Sequence, residues 1–304
     1  MAQPSTTEYD PSTYWTAPAR NFRSSARLHL QHYLIQRTLG YLLEKSVQDF
    51  ATSASQRHNG PPLRVADLGC GNGAWLCDLH DEFSNADVTA QLDGYDINPI
   101  NFPAAAFLPS AVTLKKLDIL KQPLPEDVTG IYDVVHVRAF GSILVDTGPA
   151  PLLSVVLAML KPGGYLQWEE LRGDKFQVTA PSADTPSDAS TTISQMLQAA
   201  GKARGSDFSY LDELGQKVKD FGGFDNVHAV AFEKRTHDYK GWTEDILMIW
   251  EELAVHFPAR PMLRRRRSPE SRTWICFRGR WRRRNWGVAI HQGKIMTVVG
   301  RKAM

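Results

Sequence analysis

The stretch from Leu63 to Trp75 constrains the fold more than any other part of the chain. It reads LRVADLGCGNGAW, an apolar run followed by three glycines at alternate positions, and apolar residues then continue at helical spacing. This order predicts a strand, a tight turn and a helix. Glycine tolerates positive φ and lets a ligand approach the backbone, and the free N–H groups of the following helix suit a carboxylate or a phosphate. The turn is therefore a candidate binding site.

Two interpretations of this turn compete. The glycines together with Ala74 satisfy the dinucleotide pattern G-x-G-x-x-G/A. In a nicotinamide site the ribose-binding carboxylate follows the glycines by about 20 residues, whereas the fitting acidic residue here, Asp96 in GYDINP, lies somewhat further on. Asp67 in the predicted strand and Asp118 in KLDI complete a different set of carboxylates. Spacing and neighbours thus favour another kind of site, and the nicotinamide site stays open as the alternative.

In that order the residues resemble the class I S-adenosylmethionine-dependent methyltransferases, whose first motif has the form (D/E)-x-G-x-G-x-G. The motif here is Asp67-Leu-Gly69-Cys-Gly71-Asn-Gly73. The resemblance implies that Gly69, Gly71 and Gly73 enclose the methionyl end of S-adenosylmethionine. It also implies that Asp67 orients the amino group of that cofactor, directly or through water.

Two later carboxylates receive roles from the same resemblance. It implies that Asp96 accepts both ribose hydroxyls and that Asp118 faces the adenine amine. Hydroxyl and amine groups are hydrogen-bond donors, so carboxylates at strand ends are suitable acceptors for them. Arg138, at the end of a later predicted strand, is a candidate partner for the carboxylate of the cofactor.

Strand and helix patterns alternate after the glycine turn, which indicates a parallel sheet covered on both faces. We therefore predict an α/β fold with a Rossmann-like, seven-stranded, mostly parallel sheet and helices on both faces. A Pro-Gly-Gly turn at 162–164 precedes the fifth strand. After the first strand, we predict six further strands, at 88–95, 112–117, 131–137, from residue 165 onward, at 227–232 and at 295–300. We predict helices at 152–160, 193–200, 210–221 and 242–257.

Three further segments extend the resemblance, and they are similar to the fungal methyltransferases of secondary-metabolite clusters. The segments are residues 24–32, residues 132–138 and residues 160–170, which read LKPGGYLQWEE. The resemblance covers most of residues 14–260. It implies the identity of the cofactor and says little about the acceptor.

We predict one elaborated domain that follows an N-terminal region. Residues 1–60 are the N-terminal segment with a cap helix that starts near Ser24, for which a lid over the cofactor and an ordinary packing helix both remain open. Residues 61–304 are the methyltransferase domain, in which 173–222 form an acceptor-side insertion. Four residues of this insertion are candidates for lining the acceptor pocket and are equally consistent with ordinary core packing. They are Met196, Leu197, Phe208 and Tyr210.

The arginine-rich segment 262–286 departs from the pattern around it. Eleven arginines and a single glutamate lie between Arg260 and Asn285, although the formal net charge of the chain is +2. The resemblance is lost here and returns from Gly287. Two compensating reading-frame shifts would produce this loss and recovery, and we hypothesise a frame-shift artefact; an mRNA that encodes these arginines without a frame change would remove the hypothesis. The alternatives are a solvated basic loop and a nucleic-acid patch, although we do not expect nucleic acid as a partner.

Composition narrows the class of protein. The 304 residues are 42% hydrophobic and 22% charged, which is ordinary for a soluble globular protein. No stretch approaches the ~20 apolar residues that span a bilayer, and the first residues lack a signal-like pattern, so we expect a cytoplasmic protein without a membrane partner. Cys70, Cys77 and Cys276 are too few and too scattered for a disulfide framework or a zinc site, and no metal is expected.

Methyl transfer to nitrogen, oxygen or sulfur mainly requires alignment of the acceptor with the methyl group and exclusion of water. A base is needed where the acceptor must lose a proton. Candidates at the carboxyl ends of strands are His136, Glu169 and Glu170, with a core histidine and exposed strand-end glutamates as the alternatives. We predict an S-adenosylmethionine-dependent methyltransferase that acts on a small-molecule acceptor, in secondary metabolism. The alternatives are a nicotinamide oxidoreductase and a cofactor-binding regulatory protein without turnover.

Overall fold

The fold is known from a computed structural model that describes residues 22–55, 61–144, 147–203, 207–254 and 287–304. A twisted sheet of seven strands, in the order β3-β2-β1-β4-β5-β9-β7, forms its centre. The strands of this sheet are β1 (Leu63–Leu68), β2 (Ala90–Asp96), β3 (Val112–Lys116), β4 (Tyr132–Arg138), β5 (Leu160–Leu171), β7 (Phe224–Phe232) and β9 (Ile295–Lys302).

The first five strands of the sheet are parallel, and β9 is antiparallel to both of its neighbours, β5 and β7. Five of the six residues of β1 are buried, as expected for a strand covered on both faces. The predicted seven-stranded, mostly parallel, Rossmann-like sheet is confirmed. It differs from the 3-2-1-4-5-6 order of dinucleotide-binding folds because an antiparallel strand stands between the fifth and sixth positions.

Helices cover both faces, as predicted. They are α1 (Phe22–Leu39), α2 (Lys45–Ser55), α3 (Ala74–Asn85), α4 (Ala150–Met159), α5 (Asp188–Ala203), α6 (Leu214–Phe221) and α7 (Tyr239–Ala254). Apolar side chains of α2 and α3 pack on one face of the sheet, and those of α4 and α6 pack on the other. The helix predicted from Ser24 ends at Leu39, where Gly40 takes a φ of +81° and α2 follows.

Several boundaries differ from the sequence-based predictions. The fifth strand begins at Leu160, since the Pro-Gly-Gly turn is a bulge within β5 that shifts its register against β4 between Tyr132 and Val134. Helix α5 begins at Asp188 instead of 193, and residues 209–213 form a 3-10 turn before α6. Two strands of three residues each, β6 (Gln177–Thr179) and β8 (Ala289–His291), pair with each other and were not predicted. Such short strands carry too few residues for a periodic signal.

Two smaller apolar clusters lie beyond the carboxyl edge of the sheet. One joins α1 to Trp242 of α7 and to the strand ends Leu171 and Ile295. The other joins α5 to Ile246 of α7 and to Ile290 of β8. Helices α1, α5 and α7 therefore form a layer over the edge at which open α/β sheets bind ligands.

Some predictions concern residues outside the described part of the chain. These are the N-terminal residues 1–21, most of the linker 56–62, and the arginine-rich segment 262–286 with its frame-shift and nucleic-acid interpretations. The division at residue 60 and the insertion 173–222 stay predictions. Helix α7, which precedes residues 255–286, and strand β8, which follows them, are in contact and lie in the layer over the carboxyl edge of the sheet.

Candidate functional site at the carboxyl edge of the sheet

The glycine turn joins β1 to α3 with left-handed backbone at each glycine. A Cβ at Gly73 would lie 2.8 Å from Leu114, and a Cβ at Gly71 would lie 3.2 Å from Leu28 of α1. Positive φ and close packing together explain why glycine stands at these positions. The helix α1 therefore lies directly against the turn. The φ angles are +74° at Gly69, +59° at Gly71 and +75° at Gly73.

Asp96, at the end of β2, lies against this turn. Its Oδ2 accepts a hydrogen bond of 3.0 Å from the Gly71 N–H, and its Oδ1 accepts one of 2.9 Å from the Asn98 N–H. The parallel register of β1 and β2 pairs Leu68 with Tyr95, which brings the two strand ends together. The structure thus brings the predicted ribose-binding carboxylate and the predicted methionyl-binding turn into contact.

Asp118 follows β3 at the same edge and is half-buried. Its Oδ1 accepts a hydrogen bond of 3.2 Å from the Leu120 N–H, which fixes the loop. The preceding Leu117 N–H donates to the backbone oxygen of Asp96 at 2.9 Å. Asp118 therefore lies one strand further from the glycine turn than Asp96 does. This order matches the predicted roles, in which Asp96 binds the ribose and Asp118 faces the adenine beyond it.

Asp67 and His136 form a buried pair on neighbouring strands. The Nδ1 of His136 lies 2.7 Å from Asp67 Oδ1, and its Nε2 lies 3.5 Å from Glu169 Oε2. The imidazole stacks on Trp75 of α3, with ring centroids 3.7 Å apart and planes 6° apart. Burial opposes the charged form, but Asp67 and Glu169 outweigh it and raise the pKa of His136. The histidine is held between two carboxylates and an indole and is fully buried.

Arg138 continues this polar row toward α1. Its Nε donates to Glu169 Oε2 at 2.6 Å, and its Nη1 donates to His32 Nδ1 at 2.8 Å. The Nε2 of His32 in turn lies 2.9 Å from Asp78 Oδ2 on α3. Burial opposes ionisation of Glu169, but Arg138 and His136 overcome it and hold its pKa at about 2. The buried Nη2 of Arg138 has no hydrogen-bond partner among the described residues.

Glu170 points to the opposite face of β5 from Glu169. Its Oε2 accepts hydrogen bonds from the Gly141 N–H at 2.8 Å and from Trp168 Nε1 at 3.1 Å, and its Oε1 accepts one from the Leu171 N–H at 3.0 Å. Burial raises its pKa to about 7, against these hydrogen bonds. Three donors within the protein make Glu170 an anchor of the turn at 141–143. Its predicted catalytic role stays a prediction.

Ala139, between Arg138 and Phe140, is a non-glycine residue with a positive φ of 51°. Its N–H donates to the Glu169 backbone oxygen at 2.9 Å. Such a conformation costs about 1–3 kcal/mol and persists where the surroundings over-determine it, as at functional sites. It turns the chain sharply after β4, so that the Phe140 ring packs on Gly69.

Sequence reasoning missed three contributors to this site. They are His32, which joins α1 to the row, Gln167, whose amide donates to Glu169 Oε1 at 2.7 Å, and Trp75 as a stacking partner. His32 belongs to residues 24–32, one of the segments that carry the resemblance, but a histidine on a helix gives no sequence signal for its contact with Arg138, 106 residues away.

The four candidate pocket residues of the insertion separate into two pairs. Met196 and Leu197 of α5 pack with Ile246 and Ile290, in the layer over the carboxyl edge. Phe208 and Tyr210 instead belong to the apolar cluster on the α4 and α6 face of the sheet. The first pair therefore lies where an acceptor pocket is expected.

The described ranges contain neither a candidate membrane span nor a candidate metal site. None of their helices has the length and apolarity that crossing a bilayer requires. No group of three or more histidine, cysteine, aspartate or glutamate side chains in these ranges has the geometry of a metal site.

Similarity to known proteins covers part of the chain, and no model of a protein family matches it. Methyltransferase grgD of Penicillium sp is 33% identical over 176 residues, which are 57% of this chain and 57% of that protein. N-methyltransferase tcpN of Claviceps purpurea is 32% identical over 156 residues, 51% of each protein. The chain thus spans about half the length of the curated relatives that it matches.

A solved structure of similar fold is an S-adenosylmethionine-dependent methyltransferase from Thiobacillus denitrificans in complex with S-adenosyl-L-homocysteine. It is 14% identical, with a TM-score of 0.41 over 87% of this chain and 93% of that one. A likeness at this level adds nothing to the strand order described above. From the curated relatives and the sheet together, the chain is related to methyltransferases of fungi, and the relationship predicted from its glycine motif is confirmed.

Proposed function

We propose that this protein transfers a methyl group from S-adenosylmethionine to a nitrogen or oxygen atom of a small-molecule acceptor in secondary metabolism. The observation that carries the proposal is the contact between Asp96 and the Gly71 N–H, which joins a carboxylate for ribose to a bare glycine turn. The relatives named methyltransferase support the same reaction. Three relatives, tcpN, verN and sirN, are named N-methyltransferases, which favours nitrogen as the acceptor atom.

The residues present fit the cofactor. Three glycines with positive φ keep side chains away from the turn, and Asp96 and Asp118 supply acceptors for ribose and adenine. The buried Arg138 Nη2 has no partner in the described part of the chain, and a guanidinium N–H of this kind suits the carboxylate of the methionyl end. When bound, S-adenosylmethionine supplies an activated methyl group on a sulfonium sulfur.

The predicted catalytic candidates act as positioning groups in this proposal. His136 contacts both Asp67 and Glu169, and Glu169 also binds Arg138. The side chains of His136, Glu169 and Asp67 are buried. A carboxylate held at a pKa of about 2 is a poor proton acceptor near neutral pH. The row instead fixes the Arg138 guanidinium and the β4 end against the glycine turn, so that cofactor and acceptor meet in one alignment.

The acceptor side is proposed to lie between α1, α5 and α7, the layer over the carboxyl edge. In this proposal α1 is the cap helix predicted within residues 1–60, because Leu28 lies against the glycine turn. The insertion contributes another wall of the acceptor pocket through Met196 and Leu197. The cytoplasmic location expected from the sequence stays a prediction. The protein as a whole acts on a small molecule in this proposal, without a membrane or nucleic-acid partner.

Titration of the full chain with S-adenosylhomocysteine and, separately, with NAD tests the cofactor. We expect binding of S-adenosylhomocysteine and none of NAD; the reverse result would establish the nicotinamide oxidoreductase. Incubation with radiolabelled S-adenosylmethionine and a fungal metabolite extract then tests turnover. Cofactor binding without labelled product would support the third possibility, a regulatory protein that binds the cofactor without catalysis.

A further inference from the structure

A second group of buried polar side chains lies over the carboxyl edge, separate from the row around His136. We call it the α1–α7 cluster. It consists of Gln31 of α1, Lys234 after β7, Trp242 and Asp245 of α7, and Gln292 after β8. Lys234, Trp242, Asp245 and Gln292 are all buried. Charged groups are almost never fully buried unless they are paired, so the contacts of this cluster require explanation.

Asp245 is fully buried and incompletely bonded. Its Oδ2 accepts a hydrogen bond of 3.4 Å from Gln31 Nε2, and its Oδ1 has no partner among the described residues. Of the carboxylate side chains in the described ranges, it is the one with a buried oxygen that lacks a hydrogen bond. An unsatisfied buried acceptor costs about 1–3 kcal/mol. A donor from a ligand would remove this cost.

Lys234 approaches the same place from the end of β7. Its Nζ lies 3.7 Å from the centroid of the Trp242 ring and donates a hydrogen bond of 3.2 Å to Gln292 Oε1. The Nε1 of Trp242 has no partner in the ranges that the structure describes. Trp242 and Asp245 are three residues apart on α7 and so lie on one face of that helix. The cluster thus combines an aromatic ring, a donor and an acceptor.

The α1–α7 cluster is close to the glycine turn because α1 contacts both. Leu28 of α1 lies at Gly71, and Gln31, three residues later, bonds to Asp245. One turn of an α-helix rises about 5.4 Å. Measured along α1, the residue that bonds to Asp245 is therefore within about one helical turn of the residue that packs on the glycine turn. No residue of this cluster was predicted from the sequence.

We propose that Asp245 binds the methyl acceptor through an N–H or O–H group of the nucleophile and takes its proton. The inference rests on the proposed function and names the acceptor side of the same site. The methyl group leaves the sulfonium sulfur, which keeps the bonding electron pair, and forms a bond to the acceptor nitrogen or oxygen. The proton of that nitrogen or oxygen passes to Asp245 Oδ1, so charge balances and S-adenosylhomocysteine is neutral at sulfur.

The surroundings of Asp245 suit a proton acceptor near neutral pH. Burial raises its pKa to about 6, opposed by Arg27, Lys234 and the hydrogen bond from Gln31 and assisted by Glu252. These are the charged and hydrogen-bonding groups that face it from α1, α7 and the end of β7. The carboxylate is ionised at neutral pH and more basic than an exposed aspartate, as general-base catalysis requires.

The test compares Asp245→Asn with the control Glu251→Gln, an exposed acidic position on the same helix, where an exposed ion pair with Arg23 is lost. Each full-length variant is titrated with S-adenosylhomocysteine and then incubated with radiolabelled S-adenosylmethionine and a fungal metabolite extract. We expect Asp245→Asn to lower labelling by about 100-fold or more, with cofactor affinity within about twofold of the original protein. Glu251→Gln should change neither quantity. The rate of labelling by the original protein should decrease when the pH is lowered below about 6, because Asp245 becomes protonated. The residual labelling by Asp245→Asn should not show this decrease.

Each other outcome has a defined meaning. Labelling by Asp245→Asn within about threefold of the original overturns the inference, as does an original protein that binds S-adenosylhomocysteine and labels nothing. Failure of the original protein to bind S-adenosylhomocysteine overturns the proposed function itself. Separation of the extract on a cation exchanger distinguishes the two acceptor classes, because labelled amines are retained and labelled neutral hydroxyl compounds are not.

Discussion

The glycine-turn side and the proposed acceptor side differ in which buried polar atoms lack a hydrogen bond within the described part of the chain. Around the glycine turn the buried atoms without a hydrogen bond in the described ranges are nitrogens, namely Asn72 Nδ2, Trp75 Nε1, Arg138 Nη2 and His136 Nε2, of which the last lies 3.5 Å from Glu169 Oε2. In the α1–α7 cluster, among the residues that the structure describes, the buried atoms without a hydrogen bond are a carboxylate oxygen, Asp245 Oδ1, and the indole nitrogen Trp242 Nε1. Donors suit the carboxylate of a methionyl group, and an acceptor oxygen suits a nucleophile that must lose a proton.

The two sides are also assembled over different distances along the chain. Asp96 and Gly71 are 25 residues apart in sequence, whereas Gln31 and Asp245 are 214 apart and Arg27 and Glu252 are 225 apart. The comparison teaches that the glycine turn is built from neighbouring strands, while the proposed acceptor side depends on the docking of helices that are distant in sequence. Four experiments test this difference, in order of the expected size of effect.

The largest effect is expected where α1 docks on α7. Arg27 Nε donates to Glu252 Oε1 at 2.8 Å, and the two side chains are 7% and 8% exposed. Glu252→Gln should lower the free energy of unfolding by about 3–5 kcal/mol, because removing one charge of a buried ion pair is strongly destabilising. Chemical denaturation measures this. Asp49→Asn, which breaks the exposed pair with Lys45, is the control and should leave stability unchanged; equal effects of both variants would contradict the prediction.

The second effect is a pH dependence of stability on the acceptor side. Burial lowers the pKa of Lys234 from 10.5 to about 7. Between these values the unfolded chain binds more protons than the folded one, so this lysine adds stability as pH rises. Relative to Lys234→Met, the original protein should gain about 1.4 kcal/mol of unfolding free energy for each pH unit above 7. Urea denaturation at pH 7 and pH 9 measures the difference, and a constant offset between the two proteins would contradict it.

The third effect concerns the glycine turn. Gly73→Ala places a methyl group 2.8 Å from Leu114 at a φ of +75°, whereas Gly130→Ala has the same kind of backbone, at +67°, with no heavy atom within 4 Å. The shared backbone cost is about 1–2 kcal/mol. We expect Gly73→Ala to lose about 1–3 kcal/mol more in unfolding free energy, since it overpacks the turn. Equal losses in thermal or chemical denaturation would show that the turn tolerates a side chain.

The fourth effect, which is no larger than the third, is on cofactor affinity. Asp96→Asn should weaken the binding of S-adenosylhomocysteine by about 1–3 kcal/mol, because the ribose hydroxyls lose a charged acceptor. Isothermal titration measures the affinity, and the exposed Asp81→Asn is the control. Unchanged affinity in Asp96→Asn would remove this residue from the ribose role without affecting the inference about Asp245.

Particular elements show how far the sequence reaches. The strand from Leu63 to Leu68, the glycine turn and the helix α3 were predicted with small errors, because apolar spacing and glycine content are local properties. The contact of Asp96 with that turn was not predicted, and it arises because β1 and β2 pair in parallel so that their ends lie together. The bulge of β5 and the β6–β8 pair were missed, since a bulge and three-residue strands depend on the partner strand and not on their own periodicity.

The predicted catalytic residues show where sequence reasoning stops. His136, Glu169 and Glu170 lie within β4 and β5, close to the carboxyl ends of these strands. Their hydrogen-bond partners belong to other segments of the chain. Asp67 binds His136, Arg138 binds Glu169, and the Gly141 N–H donates to Glu170. A strand alternates its side chains between two faces, so adjacent glutamates of β5 have separate environments, with pKa values of about 2 and about 7.

The sequence by itself determined the order of strand, turn and helix and the placement of acidic residues at strand ends, because glycine conformation and apolar periodicity act within a few residues. The tertiary structure decided which polar groups meet across more than 200 residues, as in Gln31 with Asp245. Such contacts have no period along the chain; they arise when α1 and α7 bury their apolar faces over the same edge and enclose the polar side chains that lie between them.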